Sequence, residues 1–190
     1  MVGIISRGAG AALLLAISAF VVLAASPEVK SAVAAPCAHS GDTHAQASIG
    51  QLRDATVCLI NRRRAQRDKR RLDQSARLGD AAERHTRVML RTDCLDHRCP
   101  GEPSLGQRIR KTGYLNGADR WRFAESTGCK GTPRRMVEAW MDVRFHRRNL
   151  LDAAYRDLGA GLRERSPDVG GCKGNPDLTT FTVVVAFRRG

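Results

Sequence analysis

Six cysteines constrain the fold of this chain more than any other feature of its sequence. All six lie between positions 37 and 172, downstream of an apolar N-terminal segment. In an exported chain, an even number of cysteines is typical of a disulfide framework, and six cysteines allow 15 connectivities. Among these we favour the set in which each pair closes a loop or holds a loop-rich segment. The predicted disulfides are Cys37–Cys58, Cys94–Cys99 and Cys129–Cys172.

The N-terminal segment predicts export. Arg7 precedes an uncharged, mostly apolar run over residues 8–25, and small residues follow at 32–35 after a short polar stretch. A basic start, an apolar centre and a small-residue end form the pattern of a secretory signal peptide. We therefore predict a signal peptide over residues 1–35 and a secreted, extracellular protein. The alternative is an uncleaved anchor, which would be the chain's only contact with a membrane, because the apolar run reaches the lower limit of a membrane span.

The remaining residues predict a linker and one α+β domain. Residues 36–48 are small and polar, which is typical of a linker, here held by Cys37; the domain follows over residues 49–190. Apolar residues at helical spacing and a Thr-Pro helix start indicate four helices, whereas β-branched and glycine-containing stretches indicate strands. The helices are predicted at 51–66 and 74–91, around 105–109 and from 133 to the region of His146; the strands are predicted at 121–126, 156–163 and 179–187. Because helices come first and strands last, we expect an α+β class. We also expect a monomer.

The chain is strongly basic, with a net charge of +13. Residues 36–190 keep 30 basic against 18 acidic residues, a net charge of +12. A dense basic run lies after the first helix and can be either a solvated helix end or a surface that attracts polyanions. We expect an anionic envelope polymer or an acidic lipid as its partner. Nucleic acid is the weakest candidate, because export argues against it and few aromatic residues are available for base stacking. The basic patch comprises Arg62, Arg63, Arg64, Arg67, Lys69, Arg70 and Arg71.

Several motifs together resemble the CAP superfamily in its bacterial, SCP-like secreted form. The most specific stretch, residues 137–162, has a Trp, then a His-Arg-x-Asn-Leu-Leu run and a hydrophobic-Gly-x-Gly strand. Residues 56–66, 76–89 and 109–114 resemble the family's first two helices and its Arg-x-x-x-Gly-Tyr motif. The resemblance extends over residues 51–190. It implies a three-layer α-β-α sandwich of the CAP type, here stabilised by disulfides.

The family's conserved cleft contains two histidines and acidic residues. By position, the resemblance places the histidines at His97 and His146 and the glutamate of the family's Gly-Glu-Asn motif at Glu125. Two departures stand out. The motif keeps only its glutamate here, and Phe145 replaces the glycine that precedes the second histidine.

This residue set allows three interpretations. Two imidazoles and a carboxylate are the ligand set of many hydrolytic zinc sites, so His97 and His146 are candidate ligands of zinc or another divalent metal. Glu125 is the candidate catalytic residue, as a general base beside His97. Alternatively, the three side chains form a hydrogen-bonded cluster that keeps the shape of the cleft.

Two other histidine-containing sets are assigned structural roles. The Cys94-x2-His97-x-Cys99 spacing allows a zinc knot, but it is tighter than the usual zinc-binding pairs, so we prefer a disulfide between the two cysteines. His85 lies on the apolar face of the second predicted helix and is expected to be a core histidine.

Three functions are therefore compared. We favour a secreted CAP-domain protein that binds or scaffolds components of the cell envelope or extracellular space and is not catalytic. The first alternative is a metal-dependent hydrolase using His97, Glu125 and His146. The second is a basic effector that binds nucleic acid or an anionic membrane.

Overall fold

The fold is a central sheet with helices on both faces, and a computed structural model describes it for residues 35–190. Apart from its last residue, the predicted signal peptide lies outside these described residues. The four strands are β1 (Asp73–Gln74), β2 (Arg120–Lys130), β3 (Asp157–Glu164) and β4 (Thr179–Arg189). Their order in the sheet is β1-β3-β4-β2; β1 pairs parallel with β3, and the other neighbours are antiparallel. β2, which carries Glu125, is therefore an edge strand.

Five helices cover the sheet. They are α1 (Ile49–Ala65), α2 (Ala76–Arg91), α3 (Leu105–Lys111), α4 (Pro133–Asp142) and α5 (Arg144–Leu151). Local sequence explains where four of them begin, because Ser48, Ser75, Ser104 and Thr132 each accept a hydrogen bond from the backbone N–H three residues later. None of the helices among the described residues has the length and apolar character needed to cross a bilayer.

Two apolar cores lie on opposite faces of the sheet. On one face, Phe181, Val183 and Val185 of β4 pack with side chains of α1, α4 and α5; on the other, Val184 and Ala186 pack with α2 and α3. Because β4 lies inside the sheet and is buried on both faces, its sequence is a continuous β-branched run rather than an alternating one. The arrangement is the expected α-β-α sandwich of the α+β class.

Glycines in β3 allow α2 to lie directly on the sheet. A Cβ atom at Gly159 would come within 2.1 Å of the Gly79 backbone nitrogen, and one at Gly161 within 2.3 Å of the Glu83 nitrogen. The contact is completed by Thr86, which donates a hydrogen bond to the Gly161 carbonyl. These two positions therefore need glycine for close approach.

The helix that carries Trp140 is shorter than predicted. It ends at Asp142, Val143 is extended with φ −85° and ψ 116°, and a separate helix begins at Arg144. Arg147 donates from Nη1 to the Met141 carbonyl at 2.6 Å, which satisfies a carbonyl at the end of α4. The prediction of one continuous helix through His146 is wrong, because this tertiary hydrogen bond stabilises a break that the apolar spacing does not reveal.

The predicted disulfide connectivity is confirmed. Cys37 is bonded to Cys58, Cys94 to Cys99 and Cys129 to Cys172, with Cα–Cα distances of 5.8, 5.8 and 6.0 Å. The zinc-knot alternative is wrong, because the two cysteines that it requires are bonded to each other.

The segment at 36–48 lies against the domain rather than extending from it. Besides the Cys37 disulfide, the Ser40 carbonyl accepts a hydrogen bond from the Arg134 backbone, and His44 Nδ1 lies 3.3 Å from the Thr179 hydroxyl.

Candidate functional site

The candidate site straddles the edge strand β2. Phe123 packs with α2 and α3, whereas Ala124 packs with the opposite core. Since successive strand residues point to opposite faces, Glu125 shares the face of Phe123 and Ser126 shares that of Ala124. His97, in the loop after α2, contacts Glu125 on the first face, and His146 of α5 contacts Ser126 on the second. The two histidines thus approach one strand from opposite layers.

Glu125 is buried and fully engaged. Its side chain is 4% exposed, and its Oε2 accepts a hydrogen bond from Arg108 Nη1 at 2.9 Å. Its Oε1 lies 3.2 Å from Arg108 Nη2 and 3.0 Å from His97 Nδ1. Burial alone would raise the pKa of this carboxyl, but the hydrogen bond with His97 and the charges of His85 and Arg108 lower it below its usual value. Glu125 is therefore a stable carboxylate and a weak base.

The two cleft histidines have opposite protonation tendencies. The hydrogen bond to Glu125 raises the pKa of His97 above its ordinary value, although partial burial opposes this. Burial lowers the pKa of His146, and the charge of His97 lowers it further. His146 Nδ1 lies 3.1 Å from Ser126 Oγ rather than on a carboxylate. At neutral pH His97 is the more readily protonated of the two.

A second buried pair lies behind Glu125. His85 is fully buried, and its Nδ1 lies 2.8 Å from Glu102 Oε2; its Nε2 lies 3.7 Å from Glu125 Oε1. Arg108 Nε lies 3.5 Å from Glu102 Oε1, so the guanidinium lies between two buried carboxylates. This four-residue set is called the buried charge cluster, and its members are His85, Glu102, Arg108 and Glu125.

Two of the four members of this cluster were not predicted from the sequence. Glu125 is the predicted site glutamate, and His85 is in the core as expected, although it faces a carboxylate. Glu102 belongs to none of the motifs described above, and Arg108 is one of many arginines. One signal was available in the sequence, because Glu102 is an acidic residue three positions after Cys99, which closes the short disulfide loop from Cys94.

Glu125 does not fit as a metal ligand. Both of its oxygens are already bonded to Arg108 and His97, and a cation at the carboxylate would have to displace the guanidinium and would be repelled by it. Within residues 35–190, no group of three His, Cys, Asp or Glu side chains is arranged to hold a metal ion. His97 and His146 use Nδ1 in the contacts described above, and their assignment as metal ligands stays a prediction, as does a catalytic role for Glu125.

The basic patch is less uniform than predicted. Arg64 is 0% exposed and donates to the carbonyls of Arg70 at 2.7 Å and Leu150 at 2.8 Å. Its inclusion in a surface patch is wrong, because the end of α1 packs on α5 and the Arg64 guanidinium stabilises the carbonyls there. Arg62 and Arg63 are half-buried, whereas the exposed members are Arg67, Lys69, Arg70 and Arg71.

Other arginines extend this basic surface. Arg144, Arg147 and Arg148 of α5 line, with Arg67, a groove of about 410 Å³. This convergence was not predicted from the sequence, because α1 and α5 are far apart in the chain and meet only in the fold.

The fold is a disulfide-bonded α-β-α sandwich, and His97, Glu125 and His146 lie along its edge strand β2. Residues 57–186 match the model of the cysteine-rich secretory protein family, CAP, and the chain belongs to this family. No curated protein sequence matches the chain.

Two of the solved structures with the same fold come from bacteria. An extracellular SCP-domain protein of Bacillus anthracis is 20% identical, with a TM-score of 0.53 over 72% of this chain and 39% of its own. An outer surface protein of Borrelia burgdorferi is 19% identical, with a TM-score of 0.54 over 70% of this chain and 90% of its own. The chain therefore spans about two fifths of the Bacillus protein's length. At these identities the likeness concerns the fold alone.

Proposed function

We propose that this CAP-domain protein is secreted and binds an anionic polymer or lipid of the cell envelope. The observation that carries the proposal is the uncompensated positive charge of the domain. Residues 36–190 contain 30 basic and 18 acidic residues. Two of the acidic side chains, Glu102 and Glu125, are engaged inside the protein in the buried charge cluster. An excess of exposed guanidinium groups attracts polyanions and binds their phosphates or carboxylates.

Secretion is supported by two further observations. The N-terminal pattern is that of a signal peptide, and three disulfides link all six cysteines, which suits an oxidising compartment. The two similar structures are described as extracellular and as an outer surface protein.

The cleft favours binding over catalysis. Glu125 is held by three hydrogen bonds and has a lowered pKa, so it has little capacity to remove a proton from a substrate. His97, whose side chain is 47% exposed, remains accessible as a hydrogen-bonding group at the mouth of the cleft. We infer that the cleft contributes a recognition surface and that the buried charge cluster keeps its shape.

Retention on anionic material tests the proposal. The protein starting at residue 36 is mixed with cell-wall fragments and with vesicles that contain or lack an acidic phospholipid. We expect retention on at least one anionic material that falls steeply between about 50 and about 500 mM salt, since the Debye length shortens from roughly 14 to roughly 4 Å. Absent retention, or retention unaffected by salt, would overturn it. Binding to duplex DNA that is tighter than to all envelope material at the same salt would favour the nucleic-acid alternative instead.

A further inference from the structure

Two of the three large apolar side chains that are exposed among the described residues lie at one place. Val143 and Phe145, at the junction of α4 and α5, are 49% and 52% exposed, and the third, Trp121, lies elsewhere on β2. Phe145 also stands where the resemblance expects a glycine. An exposed aromatic ring beside several arginines is an unusual surface, because water solvates the ring poorly.

The geometry of α5 places this ring among cations. Leu150 faces the core and His146 faces β2, which fixes the inner side of the helix. At about 100° per residue, positions 144, 145 and 148 fall together on the outer side. Arg144, Phe145 and Arg148 are all exposed there. We call these three residues the outer face of α5.

Among residues 35–190, none of the arginines around this face forms an ion pair with an acidic side chain. Arg67 and Arg147 add two guanidinium groups to those of Arg144 and Arg148 along the groove. One acidic residue, Asp152, also lines the groove, and it is already paired with Arg122 at 3.2 Å. Arginines collected in this way repel one another unless an anion lies among them.

The outer face is held in a fixed orientation. Arg147 Nη1 is bonded to the Met141 carbonyl at the end of α4, and the buried Arg64 is bonded to the Leu150 carbonyl at the end of α5. The middle and the C-terminal end of this short helix are therefore anchored to neighbouring helices, so little ordering of its backbone is required when a ligand binds.

The geometry points to the outer face of α5 as the surface that docks onto an anionic lipid bilayer, an inference that rests on the proposed function and names its partner. Arg144 and Arg148 bind headgroup phosphates, and Phe145 enters the boundary between headgroups and acyl chains. A soluble polyanion uses the arginines equally well but offers nothing to Phe145 and Val143. The exposed apolar pair is thus what selects a bilayer.

Vesicle co-sedimentation tests this assignment. The protein from residue 36 is mixed with phosphatidylcholine vesicles with and without phosphatidylglycerol, and soluble polyphosphate is a separate arm. We expect Arg144→Gln/Arg148→Gln to weaken binding to the acidic vesicles by about 30-fold. Phe145→Ser should weaken it by about tenfold and leave polyphosphate binding unchanged.

Matched controls separate the outer face from general charge. Arg87→Gln/Arg91→Gln removes two exposed cations from α2, on the other side of the sheet, and Trp121→Ser removes the other exposed aromatic ring. Both controls should change vesicle binding by less than about threefold. Arg87 and Arg91 are distant charges that salt screens, and Trp121 lies away from the outer face of α5. Thermal melting verifies that every variant is folded.

The outcomes distinguish the two proposals. If wild type binds acidic vesicles and the outer-face variants bind no worse than the controls, this inference fails and the proposed function stands. If Phe145→Ser has no effect while the double arginine variant loses vesicle and polyphosphate binding equally, the site is one for soluble polyanions and the bilayer assignment fails. If wild type binds no anionic vesicle and no wall fragment, both proposals fail.

Discussion

Arg108 is the residue on which the buried charge cluster depends. It is 5% exposed, and it contacts Glu125 through two nitrogens, Glu102 at 3.5 Å and the His97 carbonyl at 2.8 Å. Replacing it by methionine keeps most of the volume but removes the guanidinium from between two buried carboxylates, which keep only their histidine contacts. Breaking a buried ion pair from one side destabilises a protein by about 3–5 kcal/mol. We therefore expect Arg108→Met to lower the free energy of unfolding by about this amount at pH 7.

The loss should depend on pH in a definite direction. In the wild type the pKa of Glu125 is lowered, so this group stabilises the fold above its unfolded pKa of about 4.3 and that contribution is lost as the pH falls through the lower folded value. Without Arg108, two of the contributions that lower the pKa of Glu125 are lost, so this pKa should be higher in the variant than in wild type and the variant should take up its proton first as the pH falls. The difference between wild type and variant should therefore shrink from pH 7 towards pH 4.

Urea unfolding followed by circular dichroism measures this difference. Arg110→Met is the matched control, because Arg110 is exposed on the same helix and stacks only over Trp121; it should stay within about 0.5 kcal/mol of wild type. Arg108→Met/Glu125→Gln should recover part of the loss, since one uncompensated charge is removed. A loss below about 1 kcal/mol for Arg108→Met, equal at both pH values, would refute this account.

Three further outcomes are expected. Gly159→Ala should destabilise the domain by about 1–3 kcal/mol in urea unfolding, because α2 must move off β3; an unchanged midpoint would contradict the close approach. Loop lengths of 43 and 5 residues predict that removing Cys129–Cys172 costs about 4 kcal/mol and removing Cys94–Cys99 about 2, and the reverse order of melting temperatures would disprove this ranking. Elemental analysis of the purified, tag-free protein should find no more zinc in wild type than in His97→Ala/His146→Ala; a stoichiometric difference would support the metal-site alternative.

Elements with strong local signals could be predicted from the sequence. β4 has a β-branched run that only a strand buried on both faces explains, and α4 begins with a Thr cap followed by proline. The disulfide pairs also followed from local considerations of loop closure. For β4 and the start of α4, the information lies within a few neighbouring residues.

Features that depend on tertiary contacts could not be predicted. The break at Val143 is stabilised by Arg147, and the apolar spacing continues through it. The burial of Arg64 and the position of Arg108 between two carboxylates depend on which helices meet, which residue type alone does not indicate. In the candidate site, the contact between His97 and Glu125 agrees with the expected grouping. That His146 reaches β2 from the opposite layer could be seen only in the structure.

The disulfide between Cys129 and Cys172 has a consequence for assembly. It joins Cys129, near the end of the edge strand β2, to Cys172 in the loop that precedes β4. β4 is the strand with which β2 pairs. Once this bond has formed, β2 cannot peel away and be exchanged with the same strand of a second molecule. Crowding many copies at a surface should therefore not produce dimers that exchange β2.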